Sequence, residues 1–145
     1  MHGLPRKLTV DELAALFGGR TRFVGHLAGC ENPLGVARAL LGASPEDEQR
    51  EALDAHPRIG AAHLTPVSQR EQGTEDDPHV LAELARLNQA YEEKFGFRFV
   101  VFVNGRPRSA ILRVLNDRIA RPREEELRAG LDDLVAIALD RYRAR

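Results

Sequence analysis

Residues 87–106 read LNQAYEEKFGFRFVVFVNGR, and this stretch decides the fold class. Its first half continues an apolar stripe from Leu81 that returns every three or four residues, as on a helix that buries one face. Gly96 is a typical C-terminal stop for such a helix. Phe97 to Val103 then has strand propensity, but no second convincing strand exists to pair with it. A lone strand cannot satisfy its backbone groups, so we expect a buried irregular segment packed among helices.

Outside this stretch, the start and stop signals are those of helices. Thr9 and Glu12 form a capping box before the first apolar run, and a glycine pair at 18–19 follows it. Ser44-Pro45 and Asp77-Pro78 each combine a capping residue with a proline that suits the first helical position. These signals predict an all-α chain. We expect a single compact helical domain of about seven or eight helices over residues 1–145, with one irregular buried segment.

Composition limits the classes of partner. The 145 residues are 43% apolar and 30% charged, as in globular proteins, and the formal net charge of −1 argues against binding nucleic acid through its phosphates. The single cysteine, Cys30, excludes an internal disulfide and a multi-thiolate metal site. No apolar run approaches the ~20 residues that a membrane helix needs, and the N-terminus has no signal-peptide core. We expect a cytoplasmic protein with neither a nucleic-acid nor a membrane partner.

Polar chemistry is concentrated in residues 55–73, AHPRIGAAHLTPVSQREQG. His56 precedes Pro57, and a residue before proline is pushed out of the α region, so the imidazole should lie on a constrained corner at a helix end. Such a ring can donate or accept a proton near neutral pH. The alternative is a solvent-exposed histidine whose cation suits the end of the helix dipole.

Ser68, Glu71 and Gln72 should share one turn of helix in the same stretch. Ser68 and Glu71 have the spacing of a capping box, which is the structural alternative to a role in a site. Gln72 beside Glu71, with no periodic apolar face after it, favours a polar pocket. Arg141 lies within about 20° of Leu134 on a helical wheel, inside an apolar arc. A guanidinium there needs a partner, either a substrate or an internal acid such as Glu83.

A metal site is a weak interpretation of the histidines. His56, His63 and His79 are separated by seven and sixteen residues, which fits neither a helical pair nor a zinc-finger clip, even with Glu71 as a further ligand. No glycine-rich phosphate loop, nucleophile elbow or well-placed Schiff-base lysine is present. We therefore expect no metal site.

Three motifs and one arginine together resemble a known family. HPRIG, LTPVSQREQG and LNQAYEEKFGFRFVVFVNGR occur in this order, with an arginine in IALDRYR near the end. This pattern is similar to that of the 2-oxo-4-hydroxy-4-carboxy-5-ureidoimidazoline (OHCU) decarboxylases of urate breakdown. The resemblance implies an all-helical, homodimeric, cofactor-free protein. It also implies a carboxy-lyase that converts OHCU, a small molecule, to (S)-allantoin.

The resemblance assigns roles by position. It implies that His56 is the catalytic histidine, with Glu71 supporting proton transfer, and that Pro57 contacts the substrate. Three residues would form the polar wall of the pocket: Ser68, Glu71 and Gln72. Five consecutive residues would hold the substrate through their backbone groups: Phe99, Val100, Val101, Phe102 and Val103. Arg141 corresponds to the pocket arginine. The alternatives are a helical binding module without chemistry, or another lyase or hydrolase of the ureide pathway.

Overall fold

The computed structural model describes residues 7–58 and 77–144. Within these ranges the chain forms seven helices and no β-strand, which confirms the all-α prediction. The helices are α1 (Val10–Phe17), α2 (Arg22–Ala28), α3 (Pro33–Ala43), α4 (Glu46–Asp54), α5 (Pro78–Phe95), α6 (Arg108–Arg118) and α7 (Arg123–Arg143). None of these seven helices is both long enough and apolar enough to span a bilayer.

The predicted capping signals are confirmed at three helix ends. Thr9 Oγ1 accepts from the Glu12 backbone N–H at 3.1 Å, and Glu12 Oε1 accepts from the Thr9 N–H at 3.0 Å, so the capping box is complete. Asp77 Oδ1 accepts from the His79 N–H at 2.9 Å and caps α5. Gly96 ends α5 in the left-handed region at φ 81°, where a residue without Cβ is unstrained.

The predicted cap of α4 by Ser44 is wrong. Pro45 occupies the N-cap position, and the Ser44 hydroxyl instead donates to the Leu40 carbonyl at 2.8 Å. Gln49 Nε2 donates to the Leu41 carbonyl at 3.0 Å. The last carbonyls of α3 lack donors within the helix, just as the first N–H groups of α4 lack acceptors. Here the polar side chains of Ser44 and Gln49 donate to the carbonyls of α3 and do not cap α4.

The longest helix, α7, organises the core. It packs against α1, α3 and α4, while α5 packs against α6. Leu131, Leu134 and Ala138 lie on one side of this helix and are buried, and Leu127 is partly buried. The end of α7 therefore lies beside the N-terminal helices, far in sequence from them.

Residues 97–103 connect α5 to α6 as a buried segment without strand pairing in the described chain, as predicted. Its aromatic rings pack on the end of α5. The Tyr91 ring centroid lies 5.2 Å from that of Phe99 and 5.9 Å from that of Phe97, both in edge-to-face geometry. Such pairs contribute beyond the area they bury, so the aromatic side chains anchor the segment in the absence of a sheet.

Candidate functional site

His56 lies at the corner that follows α4. The helix ends at Asp54, and the His56 backbone N–H donates to the Leu53 carbonyl at 3.1 Å, which closes a tight turn. The side chain is only 5% exposed, so the alternative of a solvent-exposed histidine is wrong. Pro57 is half-buried and Arg58, which follows it, is exposed. The corner thus turns the imidazole inward and the next charge outward.

The His56 ring packs against the C-terminal end of α1. It hydrogen-bonds to the backbone of Phe17, while its Nε2 is buried and has no hydrogen-bond partner within the described residues. Burial and the positive charge of Arg141 lower the pKa of His56 from 6.5 to about 4, against the opposing effect of the Phe17 bond. The charge of Arg98 makes a smaller contribution to the same lowering of the pKa. The imidazole is therefore neutral at pH 7, with a basic nitrogen that can accept a proton.

Gly18 allows the ring to approach α1 closely. Its φ is +90°, and a Cβ added there would lie 3.2 Å from both Cδ2 and Nε2 of His56. We expect Gly18→Ala to lower the free energy of unfolding by about 1 kcal/mol or more, because alanine is strained at positive φ and the ring must also shift. Urea denaturation measures this loss. Gly42→Ala is the control, since a Cβ there meets nothing within 4 Å; equal stability of wild type and Gly18→Ala would contradict the expected crowding.

Arg141 reaches the same end of α1 from the last turn of α7. Its Nη1 donates to the carbonyls of Ala15 at 3.3 Å and Leu16 at 3.2 Å. A guanidinium at this position also complements the negative end of the α1 dipole. Glu83, the alternative internal partner, forms an ion pair with Arg86 at 2.8 Å. His56 and Arg141 therefore meet at one helix end, although 85 residues separate them in the sequence (141 − 56).

The carbonyls of the segment after α5 are partly satisfied from within the chain. Arg118 Nη1 donates to Val100 O at 3.2 Å. Arg106 donates through Nη2 to Phe102 O at 2.6 Å and through Nε to Val103 O at 3.0 Å. The expectation that these groups would need external partners therefore holds for only part of the segment.

The N–H groups of the segment are less well satisfied than its carbonyls. The Phe102 N–H donates to Asp133 Oδ2 at 3.1 Å, and burial raises the pKa of Asp133 despite that bond. Within residues 7–58 and 77–144, four other N–H groups of residues 99–103 form no hydrogen bond: those of Phe99, Val100, Val101 and Val103. Buried N–H groups require acceptors, so these are candidate donors to a polar ligand.

A buried polar network of Tyr91, Arg118 and Glu126 contacts the segment that follows α5. Glu126 is 0% exposed and accepts from the Tyr91 hydroxyl at 2.7 Å and from Arg118 Nε at 2.8 Å. Burial and the neighbouring Glu126 carboxylate raise the pKa of Tyr91, which therefore stays a donor. The Arg118 guanidinium also lies 4.8 Å from the centroid of the Phe99 ring. One arginine thus contacts the segment through both a ring and a carbonyl.

Comparison with known proteins identifies the family. A family model described as OHCU decarboxylase matches residues 9–143, which is nearly the whole chain. The chain belongs to the OHCU decarboxylase family. The resemblance predicted from the three motifs is confirmed.

Curated relatives of this family member come from bacteria and archaea, among other sources. It is 30% identical over 110 residues to the "Uric acid degradation bifunctional protein" of Bacillus sp. (strain TB-90), a match that covers 70% of this chain and 21% of that protein. It is 33% identical over 108 residues to a Haloferax volcanii protein named for OHCU decarboxylase activity, with 71% of this chain and 64% of that protein covered. The match thus spans less than two thirds of either relative.

A solved structure of the family shares the fold. A crystal structure of OHCU decarboxylase in the presence of (S)-allantoin aligns with a TM-score of 0.77 at 24% identity. The alignment covers 90% of this chain and 94% of that chain. At this identity the likeness concerns the helical fold.

Three site residues predicted for this OHCU decarboxylase family member lie outside the described residues: Ser68, Glu71 and Gln72. His63 also lies outside them. Within the described ranges, no group of three or more potential metal ligands occurs. The predicted residues that the structure does describe lie at the α1 end (His56 and Arg141), at the neighbouring corner (Pro57) and in the segment that follows α5.

Three residues that shape the site are not predicted from the sequence: Gly18, Arg98 and Arg118. Its position in the sequence marks Gly18 only as a helix stop. Arg98 interrupts the apolar run FRFVVF, and a charge inside such a run is a signal that could have singled it out. Arg118 carries no comparable local signal, because its partners come from α5, α7 and the segment.

Proposed function

We propose that this protein decarboxylates OHCU to (S)-allantoin without a cofactor. The observation that carries the proposal is the buried neutral imidazole of His56 beside the guanidinium of Arg141, in a chain of this family. A base, a fixed cation and backbone N–H groups without acceptors in the described chain suit a small polar ring that must exchange protons as it reacts.

The reaction needs no electron acceptor beyond the substrate. OHCU carries a carboxylate and a hydroxyl on one ring carbon, next to a carbon in a C=N bond. When the bond to the carboxylate breaks, its electron pair forms a C=C bond to that neighbour, and the C=N pair moves onto nitrogen. The hydroxyl then loses its proton as the carbonyl of allantoin forms, and the carbon that bears the ureido group gains one. The ring nitrogen that received the C=N pair takes up a second proton from solvent. Carbon dioxide leaves and nothing is oxidised overall.

His56 is our candidate for removing the hydroxyl proton. Its neutral state at pH 7 leaves a nitrogen lone pair available, and we propose that Glu71 supports the imidazolium that forms. General base catalysis of this kind typically contributes about 10²–10⁴ in rate. Arg141 should hold the ureido group or a ring oxygen and not the departing carboxylate. A strong bond to a charge that disappears in the reaction would stabilise the ground state.

The rest of the site would bind and orient the ring. We propose that the backbone of Phe99, Val100, Val101, Phe102 and Val103 supplies donors and acceptors to the ureido and ring groups. Pro57, Ser68 and Gln72 would complete the wall of the pocket. Donors held in place before the substrate arrives cost no reorganisation during the reaction.

We also propose that residues 1–145 fold as one domain, that the protein is a cytoplasmic homodimer, and that neither nucleic acid nor membrane is a partner. The near-neutral net charge and the single cysteine support the location and the exclusion of nucleic acid. The family resemblance supports the dimer. Sedimentation equilibrium should give twice the mass of the chain, and a mass equal to one chain at micromolar concentration would contradict the dimer.

Turnover is tested with freshly made substrate. Urate is oxidised by urate oxidase, the product is hydrolysed to OHCU by the hydrolase that follows, and circular dichroism reports optically active allantoin. Addition of the protein should accelerate that signal in proportion to its concentration. No acceleration would favour a binding module. Consumption of allantoin instead of its formation would favour another ureide lyase or hydrolase.

The lowered pKa of His56 predicts the pH dependence. A base must be neutral to act, so protonation on the acid side inactivates the free enzyme. Because the pKa is about 4 instead of 6.5, we expect kcat/KM to stay flat as the pH falls through 6.5 and to decline only towards about 4. A half-loss of kcat/KM near pH 6.5 would contradict a buried neutral base.

A further inference from the structure

Arg98 links the corner that carries His56 to the segment that follows α5. Its backbone N–H donates to Asp54 Oδ1 at 2.9 Å. Its Nη1 donates to the Asp54 carbonyl at 2.8 Å and to the His56 carbonyl at 2.5 Å. The last carbonyls of a helix have no partners within the helix, so a single guanidinium here satisfies the end of α4 and the corner together.

A second contact holds the corner on the other side of His56. Arg58 donates to both carboxylate oxygens of Glu92, through Nε at 2.6 Å and Nη2 at 2.9 Å. Glu92 Oε2 also lies 3.9 Å from Arg98 Nε. The residues before and after His56 are therefore both tied to the end of α5 and the residues that follow it.

We propose that Arg98 is a positioning residue that sets the place of the His56 imidazole relative to the backbone groups of Phe99–Val103. This inference rests on the proposed function, because those backbone groups are the proposed substrate donors. Arg98 immediately precedes Phe99 in the chain. A shift of the corner would therefore move Arg98, and with it the backbone of the residues that follow. A shift of about 1 Å between a catalytic group and its substrate can cost about 10²-fold in rate.

Arg123 provides a matched control. Its Nε donates to the Phe95 carbonyl at the end of α5 at 2.9 Å, and its guanidinium pairs with Glu46 at 2.6 and 3.1 Å. Like Arg98, it satisfies a helix-end carbonyl and contacts a carboxylate. Its contacts are with the end of α5, the start of α4 and the Phe97 ring at 5.3 Å, and not with the His56 corner. A loss of stability should therefore follow from either substitution, whereas misplacement of His56 should follow only from the Arg98 substitution.

The kinetic arm compares Arg98→Gln and Arg98→Lys with Arg123→Gln. We expect Arg98→Gln to lower kcat by about 10- to 100-fold with KM within about threefold, because the binding groups remain while the base is misplaced. Arg98→Lys should be intermediate, since one ammonium lacks the planar fork of a guanidinium. Arg123→Gln should keep the wild-type kcat even if its melting temperature falls. Equal kcat in Arg98→Gln and Arg123→Gln would overturn the proposal.

A titration arm does not depend on turnover. The charged groups that face the His56 ring within the described residues are Arg141 from α7 and Arg98 from the segment. NMR titration of the labelled imidazole should show a higher pKa in Arg98→Gln than in wild type, and no change in Arg123→Gln. Arg98→Lys keeps the positive charge but not the planar fork, so a His56 pKa that differs from wild type in this variant reports a moved imidazole. A wild-type pKa in folded Arg98→Lys would overturn the positioning role. An inactive wild-type protein with the shift intact would overturn the decarboxylase function and leave the positioning of His56 standing.

Discussion

His56→Asn should reduce turnover of OHCU by at least about 10²-fold while the protein remains folded. Asparagine keeps a planar polar group near the end of α1, but its amide cannot accept a proton near neutral pH. Circular dichroism measures kcat through the appearance of allantoin, and thermal melting shows whether the fold persists. This is the largest functional effect that the site predicts, because it removes the proposed base.

His26→Asn is the matched control for this substitution. His26 lies on α2 with an exposed side chain, and its Nε2 is 3.1 Å from Glu48 Oε1 at the surface. Its replacement should leave kcat unchanged. Near-normal turnover by folded His56→Asn would remove His56 from the mechanism, and a loss in both variants would point to a general effect of histidine replacement.

Glu126→Leu should lower the free energy of unfolding by about 3–5 kcal/mol. The carboxylate is fully buried and pairs with Arg118, whose side chain is 7% exposed. Its removal leaves the guanidinium buried without its main counterion and leaves the Tyr91 hydroxyl without its acceptor. Urea denaturation followed by far-UV circular dichroism gives the change. This is the largest stability effect expected among substitutions in the described chain that break a polar contact.

Two further variants separate the loss of the pair from the loss of a carboxylate. Glu124→Leu changes an exposed acid in the same first turn of α7 and should cost less than about 1 kcal/mol. Adding Arg118→Met to Glu126→Leu should recover part of the stability, because an apolar pair leaves no buried charge. A loss below about 1 kcal/mol in Glu126→Leu itself would contradict a tightly coupled buried pair.

Local signals predicted the parts of the fold that depend on neighbouring residues. The capping box at Thr9 and Glu12 and the left-handed stop at Gly96 each require only the residues within one turn. The buried segment was predictable for a different reason: Phe97–Val103 had no possible partner strand in the sequence. Ser44 shows the limit of this reasoning, because a hydroxyl between two helices can serve the end of one or the start of the next.

The arrangement of the candidate site depends on contacts that no local pattern contains. The sequence indicated that Arg141 needed a partner, but the partners are backbone carbonyls of α1, more than 120 residues earlier (141 − 16 = 125). The burial of His56 likewise depends on the close approach of Gly18. Glu126 shares the first turn of α7 with the exposed acids Glu124 and Glu125, and only its contacts with Tyr91 of α5 and Arg118 of α6 distinguish it from them.

A crystal structure with bound (S)-allantoin would show whether His56 and Arg141 form the site. The ligand should lie at the C-terminal end of α1, with one of its polar atoms within about 3.2 Å of His56 Nε2. A second polar atom should reach the Arg141 guanidinium, and at least one N–H group of Phe99–Val103 should donate to the ligand. A ligand bound elsewhere, with His56 Nε2 still buried against α1 and out of its reach, would contradict the account.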